Sequence, residues 1–166
     1  MHRRATARQA DNLCADYRMM RTLGILWVAL ALGGTAVAGP LEDGVQAVDR
    51  GDYATALHLL KPLAESGDPE AQINLANMYF DGNGVPLDYV ESVKWYLLAA
   101  NQGNADAQIA LGFLYKYGEG VRFDYVQAYK WFDLAGSGSD RDIVATMMTP
   151  AQIAEAQKLV GEWKPQ

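Results

Sequence analysis

The side chains that could do chemistry are few. The chain has two histidines, one cysteine and an excess of acids, with formal net charge −6 over 166 residues. Cys14 and His2 fall in the first 38 residues, which leaves His58 as the one histidine of the remainder. In the repeat register His58 aligns with Lys94 and Lys130, so it reads as a solvated helix position rather than a catalytic one. Asp49 and Asp52 are a close acidic pair, but both sit where helix ends are expected, and capping accounts for them. Gly82-Asn83-Gly84 and Gly118-Glu119-Gly120 superficially resemble phosphate loops. No strand precedes them and no Lys-Ser/Thr follows, so they read as turns. Asp81, Asn83, Asp88 and Glu119 lack the alternating register and terminal glutamate of a calcium loop. No catalytic residue, metal or cofactor is expected.

The elements that carry these residues are written twice. Gly67-Asp68-Pro69-Glu70-Ala71-Gln72-Ile73 returns 36 residues later as Gly103-Asn104-Ala105-Asp106-Ala107-Gln108-Ile109. Without a gap, residues 67–102 and 103–138 share 16 identities, among them Leu75/Leu111, Tyr79/Tyr115, Val85/Val121, Asp88/Asp124 and Trp95/Trp131. A period of this length marks stacked repeats, none of which buries its own core alone. Each repeat reads as two helices. Asp68 and Pro69 suit the N-cap and first position of one, with Ala71, Leu75, Ala76 and Tyr79 on its inner face. Asp88 starts the other, with Glu91 placed for a capping box, and Asp124 with Gln127 repeats it. Tyr89, Val93, Tyr96, Leu97 and Ala100 make this second helix apolar on more than one side, as suits a helix held between neighbours.

The pattern Ala-Gln-x-x-Leu-(Ala/Gly)-x-x-Tyr, then Gly-x-Gly-Val, then Asp-Tyr-Val and Lys-Trp, resembles the Sel1-like repeat family, relatives of the tetratricopeptide repeats. The resemblance covers residues 67–138. It implies an all-α, right-handed α–α superhelical solenoid with N- and C-terminal capping helices. It also implies a non-catalytic scaffold that binds a protein or peptide on a concave helical surface. Some cysteine-rich relatives are described as penicillin-binding or β-lactamase-like, but they carry a Cys pair per repeat, and residues 39–166 contain none. A glycan- or peptidoglycan-binding module is a further alternative.

Taken in order, the chain opens with Arg3, Arg4, Arg8 and Arg18 and few apolar residues. Met19-Met20-Arg21 and an apolar run from Leu23 to Leu32 follow, ending in Ala36-Val37-Ala38. This reads as a secretory signal peptide over 19–38, with 1–18 either an upstream extension or a long basic region. The apolar run is short for a membrane anchor, and Arg3-Arg4 lies too far from it for a twin-arginine signal. A periplasmic or secreted location follows, and residues 148–157 resemble the tails of bacterial Sel1-like proteins. The 38-residue leader holds five of the 14 basic and two of the 20 acidic residues, so 39–166 keeps 9 against 18 and a formal charge of −9. That charge disfavours nucleic acid and anionic lipid as partners. A monomer without a membrane span is expected.

Residues 39–66 read as an incomplete first repeat. Asp52 to Ser66 is its second-type helix, with Ala56, Leu59, Leu60 and Leu63 inward and a kink expected at Pro62. Leu41 to Arg50 is its short first-type partner, with Val45 and Val48 facing in. After Ala135, Gly136 to Ser139 reads as a flexible turn, and Asp140 to Met148 as a helix remnant with Ile143 and Met147 inward. Thr149-Pro150-Ala151-Gln152 starts a C-terminal capping helix striped by Ile153, Ala156, Val160 and Trp163. Residues 139–166 thus close the stack.

In a stack of this kind the first helix of each repeat lines the binding face. Helical geometry puts Ile73, Asn77, Phe80 and Asp81 on that side, with counterparts Ile109, Phe113, Lys116 and Tyr117. The repeats differ at Asn77/Phe113, Phe80/Lys116 and Asp81/Tyr117, as recognition of an asymmetric ligand would require. Phe113 and Tyr117 are the expected aromatic anchors, with Asn77 and Lys116 as polar contacts. Isoleucines stand where a basic carboxylate clamp would need Lys and Asn, so that specificity is not expected.

Overall fold

A computed structural model describes residues 39–166. The expectations for 1–38, including the leader, its cleavage motif and Arg3-Arg4, lie outside the described residues. Eight helices follow in order: α1 Pro40–Asp49, α2 Tyr53–Glu65, α3 Pro69–Asp81, α4 Tyr89–Asn101, α5 Ala105–Tyr117, α6 Tyr125–Leu134, α7 Gly138–Ala145 and α8 Pro150–Glu162. Among the described residues there is no strand. Each helix up to α7 packs on its chain neighbours, while α8 packs on α6.

Short polar side chains start these helices. Asp52, Asp68, Asp88, Asn104 and Asp124 each accept a backbone N–H of the first turn in their own helix, which satisfies donors the helix leaves orphaned. Thr149 and Gln152 form the full reciprocal capping box. The box expected at Asp88 is only half made. Asp88 accepts from the Glu91 N–H at 3.0 Å, but the Glu91 carboxylate accepts from Lys94 at 2.6 Å instead.

The recurrence of Ala-Gln in both repeats has a direct cause. Ala71 and Ala107 have no exposed surface, so nothing larger fits there. Gln72 donates through Nε2 to the Ala64 carbonyl at 3.0 Å, and Gln108 to the Ala100 carbonyl at 3.1 Å. Each glutamine is buried and adds a second donor to a carbonyl near the C-terminal end of the preceding helix, which also accepts the N–H of Gly67 or Gly103. The repeat junction is thus held by a side chain.

The Gly-x-Gly element does two jobs. Gly82 and Gly118 end α3 and α5 in the left-handed conformation, at φ 72° and 75°. Gly84 and Gly120 also have positive φ, and they are contact points between repeats. A Cβ on Gly84 would lie 2.5 Å from the Tyr53 Cβ, and one on Gly120 would lie 2.3 Å from the Tyr89 carbonyl oxygen. Each second glycine therefore lets the turn approach the start of the preceding second-type helix.

Packing forms three cores in series. The first joins α1, α2 and α3 through Ala47, Ala56, Leu60, Leu75 and Met78. The second runs from α3 to α6 through Ala76, Val93, Tyr96, Leu111 and Trp131. The third closes the C-terminal end through Tyr129, Phe132, Val144 and Ala156. Trp95 touches both the first and the second core, so it couples neighbouring repeats. The indole N–H groups of Trp95 and Trp131 are both buried without a partner.

The two ends of the stack add detail, and one of them differs from the sequence reading. In α1, Val45 and Val48 pack against the first core as expected, and Gly44 and Ala47 are the more deeply buried residues. Gly44 sits so close that an added Cβ would strike Leu60, so the small residues make the contact. After α6 the inward residue is Val144 of α7, while Ile143 of α7 and Met147 just beyond it, both expected inward, are exposed. That helix already begins at Gly138, and the Arg141–Asp133 bridge at 2.8 Å fixes its rotation against α6. Finally, α2 continues through Pro62 to Glu65, with the proline exposed.

Candidate partner-binding site

The six candidate residues belong to α3 and α5. Tyr117 is 61% exposed and is the last residue of α5. Its ring lies parallel to that of Phe113, with centroids 6.3 Å apart and an interplanar angle of 7°. The i, i+4 spacing places these two on one helix face. Lys116 lies over both, its Nζ 5.8 Å from the Phe113 centroid and 5.1 Å from that of Tyr117. Phe113 is half-buried and meets Phe132 edge-on at 5.0 Å and 78°. A buried ring thus supports a partly buried ring, and that one supports an exposed ring capped by an ammonium group. The cation–π contacts hold the lysine against an aromatic surface.

The α3 residues are arranged differently. Asn77 is exposed, and its Oδ1 accepts from the Tyr96 hydroxyl. Phe80 is half-buried and tilts against Tyr89 at 5.1 Å. Asp81 is exposed at the end of α3. Tyr96 is deeply buried, and its phenol is pushed up to about 12 by burial, with a smaller push from Asp81.

The difference at 77 and 113 has a structural cause. Position 96 returns as 132, so Tyr96–Asn77 in one repeat becomes Phe132–Phe113 in the next. A phenol with an amide acceptor is exchanged for two rings in edge contact. Each pair is internally matched, and either member alone would be mismatched in the other repeat. The difference between the repeats at these two positions is therefore accounted for without a ligand. Phe80/Lys116 and Asp81/Tyr117 have no such compensating partner.

Other chemistry is sparse. His58 is exposed on α2, as its repeat position suggested. Among the described residues, no group of three or more His, Cys, Asp or Glu could hold a metal ion. A cleft of about 260 Å³ near the N-terminal end is lined by Leu41, Glu42, Val45, Gln46 and Glu70. No described helix is long and apolar enough to cross a membrane.

Sequence reasoning missed the exposed apolar face of α4, where Val90 and Leu98 stand in solvent. Their repeats, Val126 and Leu134, are covered, and residue type alone gives no signal of that difference.

The comparisons with known proteins agree with the helical stack. A model of the Sel1 repeat matches residues 36–68, 69–104 and 105–140. A protective antigen of uropathogenic Escherichia coli, displaying an SLR fold, is similar at a TM-score of 0.71 and 31% identity. The similarity covers 75% of this chain and 29% of the antigen's, so this chain spans under a third of that relative's length. A Sel1 repeat protein from Oxalobacter formigenes is similar at a TM-score of 0.57 and 34% identity, over 59% of this chain and 78% of that one. No curated protein matches the sequence. Sel1 repeat proteins are generally protein–protein interaction scaffolds, typically without catalysis. With three consecutive repeats matched over 36–140, the chain belongs to the Sel1 repeat family.

Proposed function

We propose that this chain is a non-catalytic interaction scaffold of the bacterial cell envelope that binds a protein partner on the face carrying Phe113, Lys116 and Tyr117. The observation that carries this is the α5 cluster. Tyr117 is large, amphipathic, 61% exposed and already stacked on Phe113, so it gives up little freedom on binding. Lys116 beside it supplies a donor to a partner's carbonyl or carboxylate, in a segment otherwise rich in acid. Phe113 acts mainly as the support. Phe80 and Asp81 extend the face on α3, where Asn77 has its remaining donors free while its oxygen is engaged by Tyr96. An extended or helical peptide fits the requirement for a few anchored side chains.

The envelope setting is supported by the apolar run and Ala36-Val37-Ala38 motif. The absence of cysteine from 39–166 weighs against a penicillin-binding enzyme of the cysteine-rich kind. An exposed tyrosine ring is also a surface on which a sugar can stack, so a glycan-binding envelope module is the second reading.

A photo-crosslinking amino acid placed at position 117, and separately at the exposed His58, tests the proposal in native envelopes. A defined protein adduct from 117 and none from 58 is the expected result. No protein adduct from 117, or the same adducts from both positions, would overturn it. Sedimentation with purified peptidoglycan that depends on Tyr117 would favour the glycan reading.

A further inference from the structure

The turn after α5 is built on the same frame as the turn after α3, yet it carries different chemistry. Lys116, Tyr117, Arg122 and Phe123 stand where the preceding repeat has Phe80, Asp81, Pro86 and Leu87. The Asp124 N–H donates to the Tyr115 carbonyl at 3.0 Å, so the turn folds back on the end of α5. A Cβ on Gly118 would lie 3.3 Å from the Phe123 Cβ, which puts Phe123 against the residue that follows Tyr117. Phe123 is held edge-on to Tyr125, at 4.5 Å and 72°. Two large rings, Tyr117 and Phe123, thus stand more than half exposed on either side of one glycine.

Two cations border these rings. Lys116 lies over Tyr117, and the exposed Arg122 precedes Phe123 in the chain. Among the described residues neither is in an ion pair. Two acids share the turn. Asp124 caps α6, its Oδ1 accepting from the Val126 and Gln127 N–H groups. Glu119 is half-buried and pairs with neither cation. The cations and acids of 116–124 cancel, so the formal charge of −9 on residues 39–166 is carried wholly outside this stretch. The matching stretch 80–88 has Asp81 and Asp88 and no cation.

A partner that covers the two rings also strips water from Lys116 and Arg122. Burying an ammonium or guanidinium group without a counter-charge is costly, whereas a carboxylate accepts the strong charge-assisted hydrogen bonds that both groups donate. A basic segment adds repulsion, and an apolar one leaves both charges unsatisfied. The acidic remainder of the surface does not reverse this choice, because charges more than about 8 Å away are largely screened at physiological ionic strength.

We propose that the α5 face extends onto the following turn through Arg122 and Phe123, and that it takes an acidic, apolar peptide segment of a protein partner. Carboxylates of that segment meet Lys116 and Arg122, and an aliphatic or aromatic side chain beside them covers Tyr117 and Phe123. The inference rests on the reading of Tyr117 as a recognition residue. The turn one repeat earlier does not accept the same segment, since Asp81 replaces Tyr117 and Pro86 replaces Arg122.

The probes are three labelled peptides of one length, in which leucine and phenylalanine alternate with glutamate, with glutamine or with lysine. Each is titrated into the intact protein and followed by fluorescence anisotropy. The glutamate peptide should saturate and bind at least tenfold tighter than the other two. Lys116→Glu or Arg122→Glu should remove most of that preference, and Arg122→Glu, at an exposed residue outside any ion pair, should melt like the parent. Equal binding of all three peptides, each weakened by Tyr117→Ala, would overturn the acidic partner and leave the α5 face standing. Glutamate-peptide binding that ignores Tyr117→Ala and both charge reversals would overturn the inference and the face together. No glutamate-peptide binding up to about 1 mM would overturn the inference whatever crosslinks form at position 117. Binding to phosphatidylglycerol vesicles that Arg122→Glu abolishes, without glutamate-peptide binding, would assign the cations to a membrane surface instead.

Discussion

Exchanging one member of a matched pair between repeats should be costly, and restoring the match should recover the loss. Phe132 has no exposed surface and meets Phe113 edge-on at 5.0 Å. In Phe132→Tyr the added hydroxyl lies where the Tyr96 hydroxyl lies one repeat earlier, aimed at residue 113. There it finds a phenylalanine in place of the amide oxygen that Asn77 offers Tyr96. A buried hydroxyl left without an acceptor costs about 1–3 kcal/mol. Phe113→Asn alone forfeits the edge contact, about 0.5–1.5 kcal/mol, together with part of its burial. In the double variant the new phenol meets the new amide, so the combined loss should fall short of the sum by at least about 1 kcal/mol. Urea unfolding resolves this, because a slope near 2 kcal/mol/M converts 1–3 kcal/mol into a midpoint shift of about 0.5–1.5 M. Additivity within about 0.5 kcal/mol would refute the matching of these pairs. It would return the difference between Asn77 and Phe113 to partner recognition.

Three further outcomes follow from the same structure. Gly120→Ala should cost well over the roughly 1–2 kcal/mol of a left-handed alanine, because the new Cβ also strikes the Tyr89 backbone. Gly136→Ala, at φ 73° with nothing within 4 Å, should cost only that strain, so thermal melting separates the two. Burial pushes the Tyr96 phenol up to about 12 in the folded chain, against about 10 for a solvated tyrosine. Its contribution is fully present below pH 10 and is lost as pH rises towards 12, a fall of about 2–3 kcal/mol. Tyr96→Phe should lack this phase in an alkaline unfolding series. Gln108→Leu removes one of two hydrogen bonds to the Ala100 carbonyl, which still accepts the Gly103 N–H at 3.0 Å, and should cost about 0.5–1.5 kcal/mol, whereas Gln157→Leu on the exposed side of α8 should be close to neutral in the same assay.

Much of the fold was legible because the repeat wrote it twice. Asp68, Asp88 and Asp124 mark helix starts by local chemistry, and the glycines at 82 and 118 mark ends, so those boundaries needed no tertiary information. The inward faces of α3 to α6 followed from helical spacing for the same reason. At the ends the template is gone. Ile143 and Met147 read as inward because they are large, yet Val144 is the buried residue, and the Arg141–Asp133 bridge belongs to a rotation that no periodicity over eight residues could fix. In α1, Val45 and Val48 face the core as their spacing suggested, while the deeper burial of Gly44 and Ala47 is unmarked because small residues carry little hydrophobic signal. The candidate site was legible in part. Tyr117 and Lys116 are placed as their helix positions required. The pairing of Asn77 with Tyr96 links residues 19 apart, and it emerges only when two helices are laid together.

If Tyr117 is a recognition residue on a rigid scaffold, its removal should separate affinity from stability. The partner captured through position 117 is purified, and its affinity is measured by calorimetry for the parent protein and for Tyr117→Ala. Tyr117 is an exposed residue at a helix end, so the melting temperature should stay within a degree or two of the parent, while affinity falls at least tenfold, about 1.4 kcal/mol or more. Affinity unchanged by Tyr117→Ala would contradict the account.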